Sequence, residues 1–529
     1  MTWQSLDSKN LACLEADRLG IQIELDAERT AIERNKSGQF ATPPALASDI
    51  VDYSLRRVPD GQIDFLEPSC GSGSFFSALI RNINHERHYL ASAVGVELDP
   101  RFAEAAIGLW GDRGLEVVLD DFIEYSKRSE RMTNLLIANP PYVRHHYLDK
   151  AMKAQLKSLI DERFPWKVSG LSGLYTYFML LCHKQLAPGA VSTWLIPTEF
   201  MDVNYGEALR RYLSSMVKLE RIHQFDPSDV QFGDALVSSA VVVFINEAPS
   251  STHIAEFTYG GSLSQPRETR LIPIRDLDPI KKWTRPSLSS KASKIDEPRL
   301  GDFFKIHRGL ATGANGVFIL PRSAAIQLGI ESEHLRPILP SPRKLTELVI
   351  DADEDGWPLI DTPLALIDST MADHELELVA PGLWAYLNSF DLEKIRSGYL
   401  VQRRVPWYRQ EQRHASPFVC TYMGRGGDKL HPFRFILNKS QATATNMFLM
   451  LYPRPALLSR INADPTLLEK IHQCLLSVEP AELSAAGRIY GGGLQKIEPK
   501  ELAALSAERI AVVANLEVSR HRQESLWDS

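Results

Sequence analysis

From Ile63 onward the chain alternates short apolar blocks with stretches of helical spacing. I-D-F-L-E-P is followed by F-F-S-A-L-I-R-N-I, then by S-A-V-G-V-E-L-D, P-R-F-A-E-A-A-I-G-L-W and L-E-V-V-L-D-D. This pattern predicts strand, helix, strand, helix, strand. T-N-L-L-I-A-N-P-P-Y-V reads as a fourth strand ending in a turn. The helical run L-Y-T-Y-F-M-L-L-C-H-K-Q-L stops at Pro188-Gly189, and G-A-V-S-T-W-L-I-P, L-E-R-I-H-Q-F and S-S-A-V-V-V-F-I-N supply three further strands before Glu247. Together these predict an α/β domain around a seven-stranded, mostly parallel sheet. Upstream, the residues up to about Lys36 look helical and charged, and Thr42 before Pro43-Pro44 is placed to cap a helix running through Ile50 and Val51.

Around Ala248 to Pro266 the composition shifts to Ser, Thr and Gly, which marks a domain boundary. The expected division is 1-255, with an N-terminal helical segment 1-36, and 256-529. Leu300 to Leu320 reads as a strand, a Gly/Asn-rich loop and another strand. Short strands, prolines and aromatics follow, without periodic helices until about Thr466. The second domain is therefore expected to be β-rich and mixed, with helices at its end.

Composition narrows the class. Apolar residues make up 44% and charged residues 24% of the 529, an ordinary globular profile, and the formal charge of -7 excludes a chain that coats a polyanion through bulk charge. A nucleic-acid partner would need a local basic surface. The five cysteines, Cys13, Cys70, Cys182, Cys420 and Cys474, form no CxxC pair and no zinc spacing, so no metal is expected. No apolar run is long enough to span a membrane, and the reading is of a cytoplasmic protein without membrane association.

The candidate chemistry falls at consecutive strand tips. F-L-E-P-S-C-G-S-G-S-F-F runs from a strand into a Gly-rich turn at a helix N-terminus, where a ligand can approach the backbone. Glu97 ends the next strand, where a carboxylate can accept both hydroxyls of a ribose; a helix N-cap is the bland alternative, which Asp99 could equally fill. Asp121-Phe122 follows the third strand, offering an acceptor for an amine beside an aromatic wall. Asn139-Pro140-Pro141-Tyr142 follows the fourth, and it is the most specific string. The prolines keep carbonyls out of helical hydrogen bonding, Asn139 adds an amide oxygen, and Tyr142 offers a face for a planar group. Such acceptors can hold an NH2 group with its lone pair aimed at a methyl donor.

These residues resemble the class I methyltransferases that use S-adenosylmethionine, and among them the gamma-class, Taq I-like adenine-N6 DNA methyltransferases of restriction-modification systems. The order of segments matches: G-x-x-x-T-P-P, the Gly-rich turn, the acidic tip, Asp-Phe, N-P-P-Y, then a C-terminal target recognition domain. The resemblance implies a Rossmann-like class I domain in which Thr42, Glu67, Cys70 and Gly71 line the methionine end of the cofactor, Glu97 binds its ribose, and Asp121 and Phe122 its adenine. It implies that Asn139 and the Pro140 carbonyl hold the target amine while Tyr142 stacks on a flipped base, with Phe232, before S-S-A-V-V-V-F, on its other side. A core phenylalanine in a loop is the plain alternative for Phe232. Cys70 is not read as a nucleophile, because the covalent cytosine-C5 route depends on a Pro-Cys dipeptide and none occurs.

R-G-L-A-T-G-A-N near Arg308 and Y-G-G-G-L-Q-K-I-E-P-K-E-L near Tyr490 are similar to segments of target recognition domains in that group. Between them Arg403, Arg404, Trp407, Tyr408, Arg409, Arg413, Tyr422, Arg425, Lys429 and Arg434 form an aromatic-basic stretch, the expected surface for double-stranded DNA. The resemblance implies a nucleoid-associated modification enzyme acting beside a separately encoded endonuclease. The E-x-K at Glu498 to Lys500 lies in E-P-K-E-L, and with so compact an N-terminus no fused nuclease domain is expected. Two alternatives stay open: a protein-glutamine methyltransferase, whose release-factor-modifying group shares N-P-P-Y but lacks a large C-terminal domain, and a catalytically inactive DNA specificity module.

Overall fold

The computed structural model describes residues 8-30, 33-34, 37-226, 239-283, 297-425, 432-490 and 494-516. The chain forms two compact units, with the main division after Pro286.

The first unit is built on strands β1 (Gly61–Glu67), β2 (His88–Glu97), β3 (Leu115–Leu119), β4 (Thr133–Ala138), β5 (Leu186–Pro197), β6 (Lys218–Gln224), β7 (Ser239–Ile245), β8 (Ile254–Gly261) and β9 (Pro266–Pro273). They form one sheet in the order β3-β2-β1-β4-β5-β7-β6-β8-β9. The first five in that order run parallel, and β7 lies antiparallel to both β5 and β6. Consecutive side chains of a strand point to opposite faces, and here both faces are apolar. Leu66, Leu136 and Ala138 join one core, with Phe122, Phe178 and Leu209; Phe65, Leu135 and Ile137 join the other, with Ile50, Phe76 and Trp110. That is why the strands read as continuous apolar blocks.

The helices are α1 (Ser8–Ala27), α2 (Pro44–Leu55), α3 (Ser74–Asn82), α4 (Pro100–Trp110), α5 (Phe122–Arg128), α6 (Lys150–Asp161), α7 (Leu174–Cys182) and α8 (Glu207–Ser215). None of the described helices is long and apolar enough to cross a membrane. The strand order reverses between β1 and β4, which opens a crevice at the carboxyl ends of these strands, where open α/β sheets bind ligands.

Three expectations change. The boundary expected at 255 falls inside the sheet: β8 pairs parallel with β6, β9 pairs antiparallel with β8, and the sheet has nine strands rather than seven. The Ser/Thr/Gly composition there belongs to the turns before and after β8 rather than to a linker. Thr42 does not cap α2, whose N-cap is Pro43 without a side-chain hydrogen bond. The N-cap of α4 is Asp99, the residue the sequence offered for that role beside Glu97, and it accepts from the Arg101 N–H at 3.2 Å.

The second unit is mixed. Its five-stranded sheet has the order Phe304–Arg308, Phe448–Pro453, Phe418–Thr421, Phe435–Asn438 and Val349–Ile350, antiparallel except for the last pair. A three-stranded antiparallel sheet joins Ile319–Pro321, Leu364–Ile367 and Leu335–Ile338. Helices do gather at the end, between Pro455 and Ala514. Helices Asp373–Val379, Pro381–Leu387 and Leu392–Arg396 also interrupt the region expected to lack them. Each spans two turns at most, too short to display a periodicity.

Candidate active site

A cavity of about 560 Å³ opens at the carboxyl ends of β1, β2, β3 and β4. Thr42, Glu67, Cys70, Gly71, Glu97, Asp121, Phe122 and Asn139 all line it. Pro141 is also on its wall, whereas Pro140 and Tyr142 are buried and outside the lining. Phe232 lies outside the described residues.

Three carboxyl groups converge here. Glu67, at the tip of β1, is 1% exposed and accepts from the Phe76 N–H at the start of α3 at 3.3 Å. Burial pushes its pKa well above the carboxylate range, against the pull of the Phe75 and Phe76 amides. Glu97, at the tip of β2, accepts from the Gly71 N–H at 2.8 Å and the Asp99 N–H at 2.9 Å. Burial raises its pKa as well. Asp121 caps α5 by accepting from the Ile123 N–H at 2.8 Å through one oxygen, and burial again raises its pKa. Carboxyls raised by burial and by neighbouring acids regain their charge when a cation joins them. The cavity therefore suits a cationic ligand of the size that pockets of several hundred Å³ enclose.

The Gly-rich turn is shaped to meet such a ligand. Gly71 has φ +53 and open space where a Cβ would stand, so its backbone is approachable. Cys70 is buried, and burial, then the charges of Glu67 and Glu97, hold its thiol well above the usual range, which keeps it protonated and inert. Phe122 packs on Phe178 with ring centroids 5.2 Å apart, giving one wall an aromatic face.

Asn139 sits directly after β4, and its amide group is oriented by two donations. Nδ2 donates to the Phe40 carbonyl at 2.9 Å and to Thr42 Oγ1 at 3.0 Å. Both amide hydrogens are then used, and Oδ1 is left as an acceptor on the cavity wall. The Asn139 carbonyl accepts from Ser69 at 3.0 Å, tying the N-P-P-Y turn to the Gly-rich turn. Tyr142 is anchored through its hydroxyl to the Leu195 carbonyl of β5 at 3.0 Å, and its ring centroid lies 5.6 Å from that of Phe40, which itself lines the cavity.

Sequence reading missed the brace under the Gly-rich turn. Arg18 on α1 is 1% exposed; its Nε and Nη2 donate to Glu15 at 2.9 and 2.7 Å and its Nη1 to Ser72 at 3.0 Å. Ser77 donates to Glu15 at 2.5 Å, and Ser72 to Gln22 at 2.7 Å. Only the i,i+3 spacing of Glu15 and Arg18 was visible beforehand. Arg29, donating to Gln39 at 2.8 Å and Asp99 at 2.7 Å, completes the cavity rim.

In the second unit, much of the aromatic-basic stretch is committed internally. Arg404 donates to the carbonyls of Ala311 and Thr312 at 2.6 and 2.7 Å, and Arg434 to those of Pro342 and Leu345 at 2.5 and 2.8 Å. Tyr408 and Tyr422 are buried with their hydroxyls bonded to the Met371 carbonyl and to Glu498, and Arg413 pairs with Glu411 at 2.6 Å. Arg403, Arg409 and Arg425 are exposed; Lys429 lies outside the described residues.

A family model for the C-terminal domain of the type II methyltransferase M.Eco57I matches residues 281-525, and one for the Eco57I restriction-modification methylase matches residues 120-231. The chain is 30% identical over 498 residues to the type II methyltransferase M.XamI of Xanthomonas campestris pv. amaranthicola, covering 91% of this chain and 86% of that protein. It is 25% identical over 489 residues to M.AccI of Acinetobacter calcoaceticus, covering 89% and 85%. Among solved structures, the type IIL restriction-modification enzyme MmeI in complex with DNA aligns at 12% identity and a TM-score of 0.48, over 86% of this chain and 64% of that one.

Proposed function

The chain belongs to the type II methyltransferases of restriction-modification systems, the family of M.XamI, and on that premise we propose that it transfers a methyl group from S-adenosylmethionine to the exocyclic N6 of an adenine flipped out of double-stranded DNA. The observation that carries the reading is the oriented amide of Asn139. An acceptor whose donors are already spent suits an NH2 substrate and suits no anion.

When bound, the cofactor supplies an electrophilic methyl group on a sulfonium. Thr42, Glu67, Cys70 and Gly71 surround the methionine end, Glu97 accepts from the ribose hydroxyls, and Asp121 and Phe122 receive the adenine ring. The free oxygen of Asp121 takes the ring amine while the other continues to cap α5. Asn139 Oδ1 and the Pro140 carbonyl accept the two hydrogens of the target amine and hold its lone pair in line with the methyl group. The amine gains positive charge as it is methylated, so these acceptors bind the transition state more strongly than the ground state. Extrusion of the base costs a few kcal/mol, offset by stacking on Tyr142 and Phe232 at about 1–3 kcal/mol per base. The second unit supplies sequence recognition, and the product protects DNA from a separately encoded endonuclease.

Nucleosides from plasmid DNA methylated by the purified protein are expected to contain N6-methyladenine by mass spectrometry. Methylcytosine in their place overturns the adenine assignment. Glu97→Ala is expected to weaken cofactor binding about ten- to a hundred-fold, since charge-assisted hydrogen bonds contribute about 1.5–3 kcal/mol each, with DNA affinity unchanged. In the wild type the same binding is expected to be pH-dependent. The carboxyl pKa values are raised, the protonated acids attract a cation poorly, and affinity therefore rises as pH climbs from the ordinary carboxylate range toward neutrality. Calorimetric titration at several pH values checks both; a flat profile removes the carboxylates from the site's electrostatics.

A further inference from the structure

The first unit treats its cations in two ways. Most arginines and lysines between residues 37 and 283 are tied down, as in Arg87 with Asp60, Arg101 with Asp99, Lys127 with Glu124, Arg131 with Glu116, Lys184 with Glu130 and Arg221 with Glu256. Others donate to carbonyls, as Arg113 does to Leu109 and Arg210 to Pro279. Among the described residues of that range, the side chains left without a hydrogen bond or ion pair are Arg144, Lys150, Lys153, Lys157 and Lys167. All five fall in one segment, which begins two residues after Tyr142.

Their arrangement works against local stability. Lys150, Lys153 and Lys157 stand at i, i+3 and i+7 on α6, one stripe of like charge. Lys150 and Lys153 occupy the first turn, where the helix dipole favours acids and disfavours cations. Of the acids nearby, Asp149 caps α6 by accepting from the Met152 N–H at 2.8 Å, Glu124 binds Lys127 and Gln155, each at 2.7 Å, and Asp161, four residues after Lys157, makes no ion pair with it. His146 and Lys153 both press on His145, whose pKa lies below the usual imidazole value chiefly through burial and then through these charges. Lys153 of the helix thus lies within electrostatic reach of His145 in the loop. Met152 of α6 lines the cavity, so this basic stripe borders the site.

We propose that Arg144 and the stripe Lys150, Lys153 and Lys157 form a phosphate-binding surface, which grips the DNA backbone beside the nucleotide being methylated. It rests on the reading of the chain as a DNA methyltransferase, and it assigns backbone contacts to the catalytic unit, apart from sequence recognition in the second. Repulsion among unpaired cations is relieved by a polyanion, and phosphate contacts position a duplex without reading its sequence.

The test is the salt dependence of binding to a labelled duplex of random sequence, for the full-length wild type, the K150Q/K153Q/K157Q variant and a charge-matched K127Q/R131Q/K184Q control. Each lost phosphate contact lowers the slope of log K against log salt by about 0.9, so the lysine-stripe variant is expected to lose about two to three units of slope. The control is expected to keep the wild-type slope, and calorimetry with S-adenosylhomocysteine to give one cofactor affinity for all three proteins. A stripe variant with the wild-type slope overturns the proposal, and so does a control that loses as much, which would reduce the effect to net charge. A wild type with no salt-dependent DNA binding overturns the methyltransferase reading beneath it as well.

Discussion

Asn139→Ala is expected to lower kcat for DNA methylation by about a hundred- to a thousand-fold, the loss typical of removing one preorganised hydrogen-bonding group from a transition state. The substitution deletes Oδ1, and with it the acceptor that Phe40 and Thr42 orient through Nδ2. Thr42→Val separates the two roles: it keeps Oδ1 and removes only one of the groups that aim it, so its loss of kcat is expected to be smaller. Single-turnover methylation of plasmid DNA at saturating cofactor reads the chemical step directly. An unchanged rate for Asn139→Ala would place the acceptor elsewhere. A rise in cofactor KM with kcat intact would move Asn139 from the target amine to the cofactor.

Gly38→Ala is expected to cost about a hundred-fold in kcat although Gly38 carries no functional group. Gly38 adopts φ +66, and a Cβ there would stand 2.4 Å from the Tyr142 nitrogen and 2.5 Å from that of Val143. The Gly38 carbonyl also accepts from the Tyr142 N–H at 2.9 Å. Backbone atoms cannot swing aside as a flexible side chain can, so the N-P-P-Y turn must shift. A misplacement near 1 Å is worth about a hundred-fold in rate, and the left-handed conformation adds about 1–3 kcal/mol of destabilisation. Gly189→Ala is the control: φ is +77, yet a Cβ meets nothing within 4 Å. It is expected to lower the melting temperature slightly and leave kcat alone. Equal kcat losses in the two variants would attribute the effect to strain rather than to the turn.

The role of Gly38 separates what can be read from residues in order from what cannot. The G-x-x-x-T-P-P segment was visible as a string, but the reason for its glycine lies about a hundred residues away in the backbone of Tyr142. Likewise Thr42 was expected to cap α2, because a Thr before prolines is a local signal; its hydroxyl instead accepts from Asn139. The aromatic-basic stretch was legible as composition, yet Arg404 and Arg434 spend their guanidinium groups on carbonyls some ninety residues distant in sequence. The lysine stripe of α6 was overlooked for the opposite reason. In a list of residues an unpaired lysine looks the same as a paired one.

By itself the sequence determined the strands β1 to β7 and the placing of Glu67, Glu97, Asp121 and Asn139 at the ends of four of them. Strand formation and the turns that follow depend on neighbours in the chain: apolar blocks buried on both faces, then glycine or proline. Tertiary structure alone decided the nine-stranded extent of the sheet, the brace of Arg18 beneath Ser72, the orientation of the Asn139 amide and the difference between committed and free cations. Each of these depends on a partner brought close only by folding, and hydrogen bonds, ion pairs and steric exclusion act over a few ångströms of space whatever the distance along the chain.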